Sequence, residues 1–321
     1  MTVFNTASNN QKHSDTVLPP ESTTLQHASQ PQLLHKRPLG TATPMIHRRD
    51  FVHRIGHAAL VFAVIGLFLA VPFWVAVVTA GKAQQEALTP NLQLPSQWHL
   101  WSNFLHVITD GKMFQALLGS LIVTVPSVFL ALLLGSMAAW IFARRTSKLV
   151  AVLYAVFISG LILPPSVVTM MLLLKYMHLA GTAVGMVSVY TGIYLSIVIF
   201  LITGFVRTIP YSLEEAARID GAKPWQIFFK VIFPLLLPTL ASATILVVLY
   251  IWNDVFYALF ILSGKLDTLP LNLYKVASAS LYVNNWHYIF AYIILMSVPL
   301  LLVFIFGQRK IISGITGGAV K

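Results

Sequence analysis

Six stretches of the chain run apolar on all sides for long enough to matter: 58–80, 114–142, 149–174, 183–205, 236–262 and 288–306. A bilayer core takes ~20 residues of helix, so each stretch has the length of a crossing, and the longer ones have room to tilt or overhang. Helix is the backbone expected for them, because an isolated strand would leave its peptide groups unpaired in hydrocarbon. The pattern therefore predicts an all-α membrane protein with six transmembrane helices and both termini on one side. Within the third stretch, Pro164 and Pro165 predict a kink or a break.

Basic residues choose the side. Lys36, Arg37, Arg48, Arg49 and Arg54 precede the first stretch, and Arg144, Arg145 and Lys148 separate the second from the third. Arg207, Arg218, Lys223 and Lys230 lie between the fourth and fifth, and Arg309, Lys310 and Lys321 follow the sixth. The opposite loops hold only Lys82, Lys112, Lys175, Lys265 and Lys275. By the positive-inside rule both termini are expected in the cytoplasm. The formal charge of +11 is then mainly a topology signal and does not imply nucleic acid. Trp98, Trp101, Trp286 and Tyr288 fall where an aromatic belt on the outer side is expected.

Composition agrees. The chain of 321 residues is 57% hydrophobic and 10% charged, with a mean hydropathy of +0.78, against about a quarter charged residues in an ordinary soluble domain. With no cysteine, disulfides, thiolate metal sites and a cysteine nucleophile are excluded. The histidines show no metal-ligand spacing, and no cofactor is expected. Residues 1–54 are rich in Ser, Thr, Gln, Asn, His and Pro without an apolar period, which predicts a disordered cytoplasmic tail ahead of a membrane domain over 55–321. The first apolar run is too far from Met1 and too long for a cleavable signal core of roughly 7–15 residues.

The connection over 206–235 carries most of the local information. Pro210 blocks helix upstream, and Ser212 with Glu215 three residues on forms a capping-box pattern. Leu213 to Asp220 then reads as a short helix with acidic residues at its favourable N-terminal end. Gly221 suits a C′ position of positive φ. Pro224 suits the first turn of a second short helix, which Pro234 ends or bends into the fifth stretch. That second helix sets Trp225, Phe228, Phe229 and Ile232 close to one face. Helices this short are marginal in water, so the pair needs a surface to lie on.

Glu215-Ala216-Ala217, three residues, Gly221, nine residues and Val231-Ile232-Phe233-Pro234 resemble the EAA loop of ABC importer permeases. Ile209-Pro210, Asp220-Gly221, Trp252-Asn253-Asp254, Gly307-Gln308-Arg309 and the ending from Gly314 to Lys321 are similar to the carbohydrate branch of that family. The chain departs from it at Gly119, where relatives often carry Asn, and in its long N-terminal tail. The resemblance implies a type I importer permease fold. It also implies a second permease subunit, a dimer of ATP-binding subunits on the cytoplasmic side, an extracytoplasmic solute-binding protein and a sugar cargo. Glu214, Glu215, Ala216, Ala217, Asp220, Gly221, Trp225 and Phe229 become the expected ATPase-coupling residues. No Gly-x-x-x-x-Gly-Lys-Ser/Thr stretch occurs in the chain, so ATP is expected on another polypeptide.

Two roles stand open for Glu215: capping its own helix, or meeting a basic group on the ATPase. Asp254 is either a lining residue of the solute path or a solvated helix end on the outer side. Tyr190, Tyr194, Tyr250 and Asn253 are further path candidates, with helix packing as the alternative for each tyrosine. An ion-coupled carrier would normally place several ionisable residues in mid-membrane, and here only Asp254 qualifies. An intramembrane enzyme is disfavoured because no nucleophile–base pairing is visible. Within the importer class, a cargo other than sugar remains an alternative.

Overall fold

The computed structural model describes residues 48–163, 165–280 and 284–319, with side chains omitted at the two ends of that span. The chain divides into Met1–His57 and Ala58–Lys321. Residues 1–47 of the expected tail, Pro164, and the side chains of the C-terminal signature lie outside what is described. Among the described residues there is helix and turn and no strand.

Helix α1 (Arg48–Ile65) passes through a π-helical turn, Gly66–Ala70, into α2 (Val71–Ala80). Next come α3 (Leu100–Thr109), α4 (Met113–Arg144), α5 (Lys148–Ser159), α6 (Val167–Tyr176) and α7 (Ala183–Val206). The remainder is α8 (Ser212–Ile219), α9 (Pro224–Ile227), a π-turn at Phe228–Ile232, α10 (Phe233–Trp252), α11 (Phe256–Leu262), α12 (Leu269–Ser280) and α13 (Trp286–Ala319).

Among the described residues, five segments are long and apolar enough to cross a membrane: Ala59–Ala80, Met113–Arg144, Ala183–Val206, Pro224–Trp252 and Trp286–Ile305. The third predicted crossing differs. It is two shorter apolar helices, α5 and α6, because the chain turns after Ser159 and Ser166 starts a new helix by accepting the Thr169 N–H. The fifth predicted crossing also shifts. Helix begins at Pro224 and runs to Trp252, then breaks at Asn253–Val255 before α11. Pro234 neither ends the segment nor starts it. Proline lacks an N–H and crowds the carbonyl four residues back, and the π-turn just upstream absorbs this: Phe233 N–H bonds Phe228 O, five residues back.

Helix α4 packs most extensively on α7, where Gly135, Ser136 and Ala139 are buried along the seam. The main core joins these two helices to α10, α11 and the 227–232 segment. A second cluster gathers α2, α3, the first turn of α4, Trp252 and α13. There Asn103 of α3 donates to the carbonyls of Ala80 (2.8 Å) and Lys82 (3.0 Å), satisfying groups that the end of α2 leaves open. Large apolar side chains such as Phe62, Phe68, Phe73 and Phe129 are exposed, as lipid-facing positions should be. Trp98 and Trp101 are exposed.

The departure at Gly119 has a physical cause in this fold. A Cβ there would lie 2.0 Å from the Asp267 carbonyl oxygen, and the next residue, Ser120, accepts the Leu269 N–H at 2.8 Å. The loop before α12 is thus laid directly on the α4 backbone. Gly119→Asn is expected to cost about 1–3 kcal/mol by overpacking. A lowered Tm of the detergent-purified chain would register it; an unchanged Tm would mean that the loop yields freely.

Candidate functional site

Two groups of residues carry the candidate chemistry. The first is the unit formed by α8 and α9. Helix α8 opens at Ser212 behind Tyr211, which has helical backbone angles and makes no side-chain cap. The expected Ser212–Glu215 capping box therefore does not form, and Glu215 projects into the open. At the other end Gly221 has φ +79°. Its N–H bonds Arg218 O at 3.0 Å, while Ala222 N–H bonds Ala217 O at 3.0 Å. This is the Schellman closure that the glycine predicts. Pro224 then opens α9, and Gln226 Oε1 accepts the Lys223 N–H at 2.8 Å.

Nothing lies within 4 Å of where a Gly221 side chain would begin, so a substitution there meets backbone strain and no neighbour. Gly221→Ala is expected to cost roughly 1–2 kcal/mol, the penalty of a left-handed L-residue. Most of that penalty should appear as local fraying of α8, read as faster amide exchange at Gly221 and Ala222. Uniformly unchanged exchange would contradict the closure.

Glu214 points the opposite way from Glu215. It is fully buried, and its Oε1 accepts from Arg144 Nε at 2.6 Å. Arg144 also donates through Nη2 to Ile209 O at 2.9 Å. On the far side, Arg218 Nη2 lies 3.9 Å from Glu214 Oε2, and Arg218 Nη1 donates to Tyr211 Oη at 2.7 Å. Both guanidiniums sit over the Tyr211 ring.

The apolar residues of this unit divide. Ile227, Phe228 and Ile232 are buried in the main core, and Phe228 contacts the Trp140 ring with centroids 5.7 Å apart. Trp225, Phe229 and Ile219 are exposed at 59%, 45% and 86%. Ala216 and Asp220 are exposed beside them, and Ala217 is half-buried against the core. The single face expected from the sequence is thus two faces: Trp225 and Phe229, four residues apart, look outward, and Phe228 and Ile232, also four apart, look inward.

The second group joins four of the five path candidates. Tyr190 is buried on α7 and donates to Asp254 Oδ2 at 2.6 Å. Tyr194 lies one turn on, its ring 6.1 Å from that of Tyr190 and stacked on Tyr250 at 5.6 Å and 11°. Asp254 occupies the break between α10 and α11, where its carboxylate also accepts the N–H groups of Tyr257 (3.4 Å) and Ala258 (3.1 Å). From the position before the N-cap residue Val255, its carboxylate thus satisfies two first-turn N–H groups of α11 as well as partnering Tyr190. Asn253 stands apart: it is exposed, and its amide donates back to Leu249 O at 2.8 Å.

Sequence reasoning missed Arg144, Tyr211 and Ile219. Arg144 was legible only as a topology charge at the end of an apolar helix. The i, i+4 spacing of Glu214 and Arg218 hinted at pairing, but nothing local points to the guanidinium 70 residues upstream.

Residues 131–316 match the family described as the binding-protein-dependent transport system inner membrane component. The chain is 35% identical over 263 residues to a putative ABC transporter permease protein, ORF2, of Caldicellulosiruptor sp. (strain Rt8B.4), covering 81% of this chain and 94% of that one. It is 32% identical to the melibiose/raffinose/stachyose import permease protein MelC of Bacillus subtilis (strain 168), covering 82% and 95%. Its fold resembles a chain in the crystal structure of a bacterial ABC transporter involved in import of the acidic polysaccharide alginate. That match has a TM-score of 0.68 at 22% identity and covers 83% of this chain and 99% of that one. The chain is a multi-pass membrane protein and belongs to the family of inner membrane components of binding-protein-dependent transport systems.

Proposed function

We propose that this chain is one permease subunit of an ATP-driven importer, and that its cargo is a carbohydrate handed over by an extracytoplasmic binding protein. The observation that carries the reading is the α8–α9 unit. It offers Ile219, Trp225 and Phe229 outward on either side of a Schellman closure while Glu214 and Phe228 hold it from behind. Exposed aromatic and aliphatic anchors on a fixed frame are what a docking surface needs. The occupant is a subunit of a dimer of ATP-binding proteins, which supplies the hydrolysis that this chain has no phosphate-binding loop to perform. No cofactor is bound by this chain itself.

The remaining assignments follow the same reading. The chain makes six crossings, with α5 and α6 together serving as the third, and both termini lie in the cytoplasm. It pairs with a second permease subunit, to which it presents part of its exposed apolar surface. Tyr190, Tyr194, Tyr250 and Asp254 border the solute path, where stacked tyrosine rings suit the apolar faces of sugar rings. Sugar cargo is supported by the relatives, since one is named for melibiose, raffinose and stachyose import and another for diacetylchitobiose uptake.

Uptake assays in a strain lacking this chain, across labelled mono- and oligosaccharides and polyols, test the proposal. At least one sugar should accumulate only when the chain is restored, and Tyr194→Ala should reduce that uptake. Loss of amino-acid or phosphate-ester uptake with all sugars unaffected would overturn the cargo assignment.

A further inference from the structure

Beyond the docking surface, the structure shows what the surface is fastened to. Trp140 and Arg144 stand four residues apart on α4, one helical turn, and so share a face. Each holds a different piece of the coupling unit. Arg144 Nε bonds the buried Glu214 of α8 at 2.6 Å, and Trp140 contacts the buried Phe228 ring where α9 enters the π-turn. The same guanidinium takes the Ile209 carbonyl at 2.9 Å, so both ends of the loop from 209 to 214 are fixed to one side chain. Ile209 is itself buried, in a turn continuing α7 through the Ile209 N–H to Val206 O bond.

We infer that Arg144–Glu214 and Trp140–Phe228 form a transmission joint that makes the coupling unit and the cytoplasmic end of α4 move as one body. Glu214 is a positioning residue here, and it does not touch the docked subunit: no part of it is exposed. Force applied to Trp225 and Phe229 enters the membrane directly along the continuous 224–252 segment; the two side chains on α4 carry it to α8 and to α4 as well, and from there to the α4–α7 seam that dominates the packing. A hydrogen-bonded ion pair suits this task because it is directional and resists shear, whereas apolar contacts slide. The aromatic contact alone would leave α8 free to swing about the Gly221 hinge. The carboxylate also has a second guanidinium, Arg218, at 3.9 Å, which keeps it charged-partnered on the α8 side while Arg144 holds the α4 side.

This inference rests on the α8–α9 unit docking an ATP-binding subunit, and the experiment separates the two. The chain has no native cysteine, so Arg145→Cys and Ser212→Cys, both at exposed positions, carry spin labels just past the end of α4 and at the start of α8 in the assembled transporter. The 145–212 distance is measured without nucleotide and with Mg-ATP, in the otherwise unsubstituted chain and with Glu214→Gln. The joint requires one unchanged distance in the first case and a shifted or broadened one with ATP in the second. It also requires that Glu214→Gln retain the ATP-binding subunits yet lower solute moved per ATP by about tenfold, within the usual range for coupling between two sites. Should Glu214→Gln fail to assemble, the Arg144→Met/Glu214→Leu pair replaces it with the same expected readouts. A distance that changes with ATP in the unsubstituted pair overturns the joint. So does loss of the ATP-binding subunits on Glu214→Gln with the distance unchanged, which would make Glu214 a docking contact. Failure of those subunits to bind the unsubstituted chain would instead remove the docking reading itself, and the joint with it.

Discussion

Arg144→Met is expected to destabilise the chain by about 3–5 kcal/mol, because it strips the counter-charge from a carboxylate that solvent does not reach. Glu214 would be left with Arg218, whose nearest nitrogen stands 3.9 Å away on a half-exposed side chain. That distance is too long for a hydrogen bond. The Ile209 carbonyl would lose its donor as well. Arg144→Met/Glu214→Leu removes both charges at once and fills the space with apolar volume, so it should return to within about 1–2 kcal/mol of the parent. Equilibrium unfolding of the purified chain in mixed micelles measures both. A single substitution that costs as little as the double would mean that water or a lipid headgroup already solvates the carboxylate. The energetic argument is one of asymmetry: forming such a pair contributes little net stability, whereas breaking it is expensive.

Trp225→Ala and Phe229→Ala should have the opposite profile. Trp225 is 59% exposed, so its truncation should leave the chain's own stability within about 0.5 kcal/mol; Phe229, 45% exposed with its ring against Phe228 and Phe233, should cost about 1 kcal/mol. Against an ATP-binding subunit each should weaken binding by about 30-fold, the equivalent of a 2 kcal/mol aromatic anchor. Phe228→Ala is the internal contrast. Its ring is 1% exposed and contacts Trp140, Phe229 and Phe233, so it should cost about 3–5 kcal/mol of folding stability. Titration of the reconstituted chain with the ATP-binding subunit, beside a Tm series, separates the three. Equal binding by all three variants would move the docking surface elsewhere on the protein.

The two adjacent phenylalanines show why the sequence resolved some of this site and not the rest. Phe228 and Phe229 belong to one apolar run, and helical spacing places both near Trp225 and Ile232. Which one turns inward depends on where α4 sets Trp140, against which Phe228 packs; the π-turn at Phe228–Ile232 accommodates Pro234 while the segment continues into α10. The same holds for Glu214 and Glu215. In sequence they are equivalent acidic residues of a first helical turn, and the family motif singles out Glu215. In the fold Glu214 is buried and Glu215 is free, because α4 ends where Arg144 can reach only one of them.

What the sequence by itself determined was whatever depends on near neighbours along the chain or on composition. The apolar runs announced helices of spanning length, since hydrocarbon leaves the backbone no other economy of hydrogen bonds. Gly221 announced a left-handed closure between two short helices, since its hydrogen bonds reach no further than five residues back. Tertiary structure decided the rest. It split the third run into α5 and α6 and joined α9 to α10 through a π-turn. It set Asp254 against Tyr190 across 64 positions and Glu214 against Arg144 across 70, and it laid the Asp267 carbonyl on Gly119. A charge or a glycine carries no mark of which distant surface will meet it. Packing of α4 on α7 and α10 fixes those meetings, and the fold is the first level at which a buried carboxylate and its partner exist as a pair.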